Sequence, residues 1–175
     1  MARIIYKEGC DGQRDIASIE GIEIELLNGQ KVLIYPKYSE EMLLDMKDRD
    51  RWHDEGVLEI IALRLRYNQT ATSALLEAGS PAAKFATKYT SERFGRFGLP
   101  TLLAALEITD QKSVIDELAR EIDGADLLED FCSCVWSCSR CNKSGGWAAS
   151  NYTGIAFDGE LNSRYVAVPL ILYKR

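Results

Sequence analysis

Four of the five cysteines, Cys132, Cys134, Cys138 and Cys141, fall within ten residues of one another. Thiolates at that density could supply a tetrahedral zinc site, and Cys138-x-x-Cys141 has the pair spacing that such sites use. Against this, Cys132 and Cys134 alternate along what reads as a strand. Four sulfurs must also converge at about 2.3 Å on one ion, which normally takes pairs from separate turns. The expectation is no metal and no cofactor, with the thiols acting as small apolar side chains. The alternative is a zinc-stabilised interaction or regulatory domain built on these four cysteines. Cys10 has no partner in the sequence.

The remaining reactive residues do not assemble into a catalytic set. His53 is the single histidine, beside Trp52 in a charged stretch, which leaves no Ser–His or Cys–His dyad with an independent acid. Gly95-Arg96-Phe97-Gly98 lacks the lysine and following helix of a phosphate-binding loop. The acidic pairs Glu40-Glu41 and Asp48/Asp50 read as solvated helix faces. These residues predict a protein that is not an enzyme.

The elements around these residues change character along the chain. Ile22, Ile24 and Leu26 alternate with Glu23 and Glu25, Asn28-Gly29 marks a tight turn, and residues 31–35 return, so the spacing predicts a β-hairpin closed by Pro36. Ser39 is placed to cap a helix whose inner face is Met42, Leu43 and Met46. Residues 47–56 are charged and expected at the surface, and residues 57–67 fit a helix or a strand equally. Ser80-Pro81 opens a helix with Phe85, Ala86 and Tyr89 inward. A short apolar helix follows Leu99-Pro100-Thr101. Another starts at Thr109 or Asp110, with Val114, Ile115, Leu118 and Ile122 inward and Gly124 as its stop. After Asp130 the chain becomes rich in Ser, Cys, Gly, Asn, Tyr and Trp. Asp158-Gly159 there suggests a second hairpin turn, and residues 166–173 form an apolar closing strand containing Pro169.

Composition bounds the function classes. The 175 residues fit one domain with a small appendage, and 46% hydrophobic content supports a core without metals or disulfides. A formal net charge of −6, with Lys and Arg dispersed, argues against a nucleic-acid partner held through phosphates. No stretch approaches 18 uninterrupted apolar residues, so no membrane insertion is expected. The opening Met1-Ala2-Arg3-Ile4-Ile5-Tyr6-Lys7-Glu8 does not read as a signal peptide, which suggests a cytoplasmic protein or one carried in a phage particle.

Several motifs then occur in a fixed order. Pro81-Ala82-Ala83-Lys84-Phe85-Ala86 leads to Leu99-Pro100-Thr101 and the helices after it. Val135-Trp136-Ser137-Cys138-Ser139, Gly146-Trp147, Gly154 and Tyr165-Val166-Ala167-Val168-Pro169-Leu170 follow. This order, over residues 68–173, resembles the bacterial C-type-lectin-like domains related to the formylglycine-generating-enzyme fold, found in surface proteins, phage tail tips and retroelement variable proteins. Three positions depart from the family pattern. Cys138 stands where Ser is usual, Val168 stands where Arg precedes Pro169, and the aromatic before Leu99 is Phe97, one Gly away.

The resemblance implies an α+β C-type-lectin-like domain at residues 61–175, carrying an N-terminal β-hairpin and helix extension at residues 1–60. It implies a ligand-binding face formed by Arg140, Asn142, Lys143 and Ser144 with Asn151 and Tyr152, and buried structural roles for Trp136 and Trp147. An oxidase-like use of Cys138 with Cys141 is the enzymatic version of the same fold, but the residues around them do not match that enzyme's motif. The Ser, Asn, Tyr and Trp content of residues 137–165 suits adaptable recognition. The expected function is non-enzymatic binding of a protein or glycan ligand.

Overall fold

The structure, a computed structural model, describes residues 2–41, 67–131, 134–140 and 145–173. Among them the architecture is mixed α+β, with four helices and three antiparallel sheets. The expected helix after Ser39, the charged residues 47–56, His53 and Trp52, and most of the ambiguous stretch 57–67 lie outside the described residues.

The largest sheet joins both ends of the chain. Strands β1 (Arg3–Tyr6), β2 (Ile19–Glu25), β3 (Lys31–Ile34) and β9 (Leu170–Tyr173) lie in the order β1-β2-β3-β9. The alternation read from sequence sets its faces. Ile22, Ile24, Val32 and Ile34 enter the main core, while Glu23 lies on the opposite face. The β2–β3 turn closes with Leu26 donating to the Gln30 carbonyl at 2.8 Å and Gly29 at a φ of 78°. Val32 pairs with Leu172 and Ile34 with Leu170, so the N-terminal hairpin is built into the same sheet as the closing strand. That strand begins only after Pro169, which has no N–H to give to a ladder. Its outer edge is covered by Gly98, which exchanges backbone bonds with Leu170 at 3.0 and 2.8 Å.

One irregularity in this sheet matters later. Ile5 pairs with Gly21 but Tyr6 pairs with Ile19, so Glu20 is an extra, unopposed residue in a β-bulge. Gly21 has a φ of +155°, and a Cβ there would come within 2.6 Å of the Ile34 carbonyl oxygen. Glycine is therefore required at the bulge.

Helices α1 (Tyr67–Glu77), α2 (Pro81–Ala86), α3 (Leu102–Asp110) and α4 (Lys112–Ala119) fill the space between the sheets. Two of their starts follow the sequence signals: Ser80 caps α2 by accepting from Ala83 at 3.2 Å, and Thr101 caps α3 by accepting from Ala104 at 3.3 Å. The start expected at Thr109 or Asp110 is corrected: both residues end α3, and α4 begins at Lys112 after Gln111. Ala104, Ala105, Ile108, Ile115 and Ala119 pack on the large sheet. A second cluster joins α1 and α2 to the C-terminal half through Leu75, Phe85, Leu99, Trp136 and Cys138. On the outer face of the large sheet, Leu33, Phe97 and Ile171 form a third cluster against Phe94 of the short hairpin β4 (Thr90–Ser91) and β5 (Gly95–Arg96).

Three other local expectations are corrected. Val114 is exposed, because Gln111 ends α3 and begins α4, and this break resets the helical phase. Ser39 is an isolated bridge to Ala167, accepting from its N–H at 2.7 Å. Asp158 and Gly159 are inside a strand, not at a turn. Gly159 is needed there for space: a Cβ would meet the Tyr165 ring at 2.7 Å and the Trp136 ring at 3.1 Å.

Candidate functional site

Strands β6 (Cys134–Arg140), β7 (Gly145–Ser150) and β8 (Ala156–Glu160) form the three-stranded sheet that contains the sequence-derived candidates. Its first strand, β6, is fastened on both faces. Trp136 is fully buried, with its ring centroid 4.6 Å from that of Tyr165, and Cys138 is buried in the same cluster. On the other face, the Ser137 hydroxyl donates to the Trp147 carbonyl at 2.7 Å, and Ser139 Oγ accepts from the Leu102 N–H at 3.2 Å. Ser139 thus satisfies a free amide at the start of α3. Helix α3 packs across β6 and β7. The Trp-Ser-Cys-Ser run is therefore framework, and the roles of its serines were not foreseen from sequence, because a hydroxyl's partner depends on which helix end arrives beside it.

Trp147 differs from Trp136. It lies in β7 opposite Asp158 and is only half-buried, so one of the two tryptophans expected in the core is partly outside it. Ala148 and Ala149 beside it are fully buried.

The candidate ligand residues fall at two places. Arg140 pairs with Gly146 at one end of the β6–β7 hairpin, whereas Asn151 and Tyr152 follow Ser150, which pairs with Cys134 at the other end. A six-residue strand separates them by roughly 17 Å. Asn142, Lys143 and Ser144 lie outside the described residues. Asn151 is 7% exposed, its Nδ2 donating to the Phe131 carbonyl at 3.4 Å and its own carbonyl accepting from Lys112 Nζ at 3.0 Å. It anchors a turn and does not face outward. Tyr152 is 71% exposed.

That turn, residues 151–155, is tightly organised. Ser150 Oγ accepts from the Tyr152 and Thr153 amides, both at 3.2 Å. Gly154 donates to the Ser150 carbonyl at 2.9 Å, and Ser150 donates to Ile155 at 3.0 Å. Gly154 has a φ of 63°, which a side chain would strain. Lys112 Nζ stands 6.0 Å from the Tyr152 ring centre. The result is a fixed turn that presents Tyr152 and, at 63% exposure, Ile155 to solvent.

Two of the four clustered cysteines lie in the described residues, and their geometry argues against a shared ion. Cys134 and Cys138 are four residues apart on one extended strand, about 13 Å at the usual rise, while two thiolates on one zinc must both lie about 2.3 Å from it. Burial pushes the Cys138 thiol up to about 12, and burial also raises that of Cys134 against a hydrogen bond from the Asn151 backbone. Both effects disfavour the thiolate that a metal needs. Cys132 and Cys141 lie outside the described residues. Among the described residues, no group of three His, Cys, Asp or Glu side chains could hold a metal ion. No described helix is long and apolar enough to cross a membrane.

No protein-family model, curated protein or solved structure matches this chain.

Proposed function

We propose that this chain is a non-enzymatic ligand-binding module of C-type-lectin-like architecture that recognises a protein or glycan through its three-stranded sheet. The observation that carries the reading is the fixed turn at residues 151–155. Five hydrogen bonds hold a surface turn that displays an aromatic and a branched apolar side chain to solvent. A rigid scaffold presenting preorganised loop residues lowers the entropy cost of binding. The exposed Tyr offers a flat face for a sugar ring or a partner side chain. The topology supports the architecture: the closing strand pairs with the N-terminal hairpin in one sheet, the helices pack against it, and the Trp-Ser-Cys-Ser strand starts a separate small sheet. The Arg140 end of β7, with Asn142, Lys143 and Ser144, belongs to the same proposal as a second contact region.

The test uses a glycan array and a displayed peptide library, probed with the parent chain and with a Tyr152→Ala/Ile155→Ser double variant. The reading expects ligands that the parent selects and the double variant loses, with the melting temperature unchanged. A second variant, with Arg140, Asn142, Lys143 and Ser144 all changed to Ala, measures what the other end of β7 adds. Failure to select any ligand in either library, or equal binding by the parent and both variants, overturns it.

A further inference from the structure

A second place in the molecule, remote in sequence from the turn just described, holds a buried carboxylate oxygen with no hydrogen-bond partner. Glu20 is the extra residue of the β1–β2 bulge, and bulges turn a side chain out of the regular alternation. Its residue is 5% exposed, and its Oε2 is buried with no hydrogen-bond partner. Taking a carboxylate out of water is costly unless donors replace the water. Two residues away from the bulge the same strand shows what a satisfied carboxylate looks like: Glu23 accepts from Arg3 Nε at 3.1 Å and Lys31 Nζ at 2.9 Å, and from the Tyr173 hydroxyl.

Glu20 opens onto a cleft of about 510 Å³. The chain after β1 supplies Lys7, Glu8 and Asp11 to its walls, and the β4–β5 turn supplies Glu92 and Arg93. Both cations of the cleft are engaged elsewhere. Lys7 Nζ donates to the Ala17 carbonyl at 2.6 Å, and the Arg93 guanidinium stacks over the Phe94 ring at 5.0 Å. Four carboxylates face two cations, so the cleft carries a net negative charge, and Glu8, Asp11 and Glu92 form its exposed rim.

We propose that this cleft binds a small organic polyamine, with one ammonium donating to the buried Glu20 carboxylate and another facing the acidic rim. Three features favour this class. An ammonium supplies both the charge and the donors that Oε2 lacks. The cleft is far larger than a single ion, and no three carboxylates among the described residues converge on a point as a metal requires. Tyr6 lines the same space and adds an aromatic wall, which cations favour. This site is separate from the Tyr152 turn and does not depend on the function proposed for it.

The experiment is titration calorimetry of the full chain with spermidine and with putrescine, at fixed ionic strength, with magnesium and calcium chloride titrated separately. Saturable spermidine binding is expected, stronger than putrescine binding, because the longer amine spans from Glu20 to the rim. Glu20→Gln keeps the shape and removes the charge, so affinity should fall about 10- to 100-fold, the scale of a hydrogen bond to a charged group. Glu92→Gln, on an exposed turn that tolerates substitution, should weaken spermidine binding about 2- to 5-fold without altering the melting temperature. It keeps the test open should Glu20→Gln fold poorly. Absence of saturable amine binding, amine binding unchanged in both variants, or displacement of the amine by stoichiometric magnesium or calcium would each overturn the proposal.

Discussion

In the large sheet a buried carboxylate is surrounded by donors, whereas strand β6 of the small sheet is anchored by a buried aromatic ring. Glu23 gathers Arg3, Lys31 and the Tyr173 hydroxyl from three neighbouring strands, and so ties β1, β3 and β9 to β2. Strand β6 instead depends on one large ring, Trp136, seated over Gly159 and against Tyr165, with serine hydroxyls fastening the other face. Charge pairing at Glu23 adds to the apolar core of the large sheet, whereas β6 adds a single large buried ring to its serine hydrogen bonds. Their responses to substitution and to pH should differ accordingly.

The largest effect belongs to the small sheet. Trp136→Ala should cost about 3–5 kcal/mol, the usual scale for a fully buried aromatic. Trp147→Ala, at a half-buried position, should cost about 1–2 kcal/mol because less apolar area is lost. Urea denaturation of both variants checks the order, and equal losses would show that the sheet does not hang on a single anchor.

The large sheet should reveal itself through acid. Burial alone would raise the Glu23 carboxyl, but hydrogen bonds from Tyr173, Lys31 and Arg3 outweigh it and hold the folded value below the ordinary 4.5. A carboxylate lowered in this way stabilises the fold fully above its unfolded value, and that contribution is lost as pH falls through the lower folded value. Glu23→Gln should therefore cost about 1–3 kcal/mol near neutrality. Its melting temperature should then decline less steeply than the parent's below pH 4.5. Parallel pH profiles for the two proteins would remove Glu23 from the account. Asp116 and Glu107 work in the opposite sense, since burial outweighs the backbone amides they accept and raises both.

The smallest effect concerns the thiols. With Cys134 and Cys138 held apart on one strand, a chelator should leave the melting curve unchanged and elemental analysis should find well under one zinc per chain. A stoichiometric zinc would mean that metal, and not Trp136 alone, organises the small sheet.

The signals that were legible in sequence are the local ones. The Ile22/Ile24 alternation, Gly29 at its turn, Ser80 before Pro81 and Thr101 before α3 each act within a few residues, and each appears as read. What sequence hid depends on distant neighbours. Gly159 looked like a turn because glycine permits turns, but it is required by rings 23 residues before it and 6 residues after it. The family resemblance implies a ligand contact at Asn151, yet the Phe131 carbonyl and Lys112 hold it in the turn. The Glu20 bulge has a faint signature: Ile19 and Ile22 both reach the core at a spacing of three, which a regular strand forbids. Of the candidate site, Tyr152 is exposed, and Arg140 lies at the opposite end of β7.

The pairing of β3 with β9 also governs how the chain must be made. Strand β3, Lys31–Ile34, leaves the ribosome long before its partner, Leu170–Tyr173. Until then Leu33 and Ile34 lie on an open strand edge next to an apolar surface, the kind of template that captures other chains. Contacts so far apart in sequence are also slow to form, since the loop between them must close first. The large sheet therefore cannot close until β9 has been made. The protein's yield in a cell thus depends on how long that early hairpin can wait without finding the wrong partner.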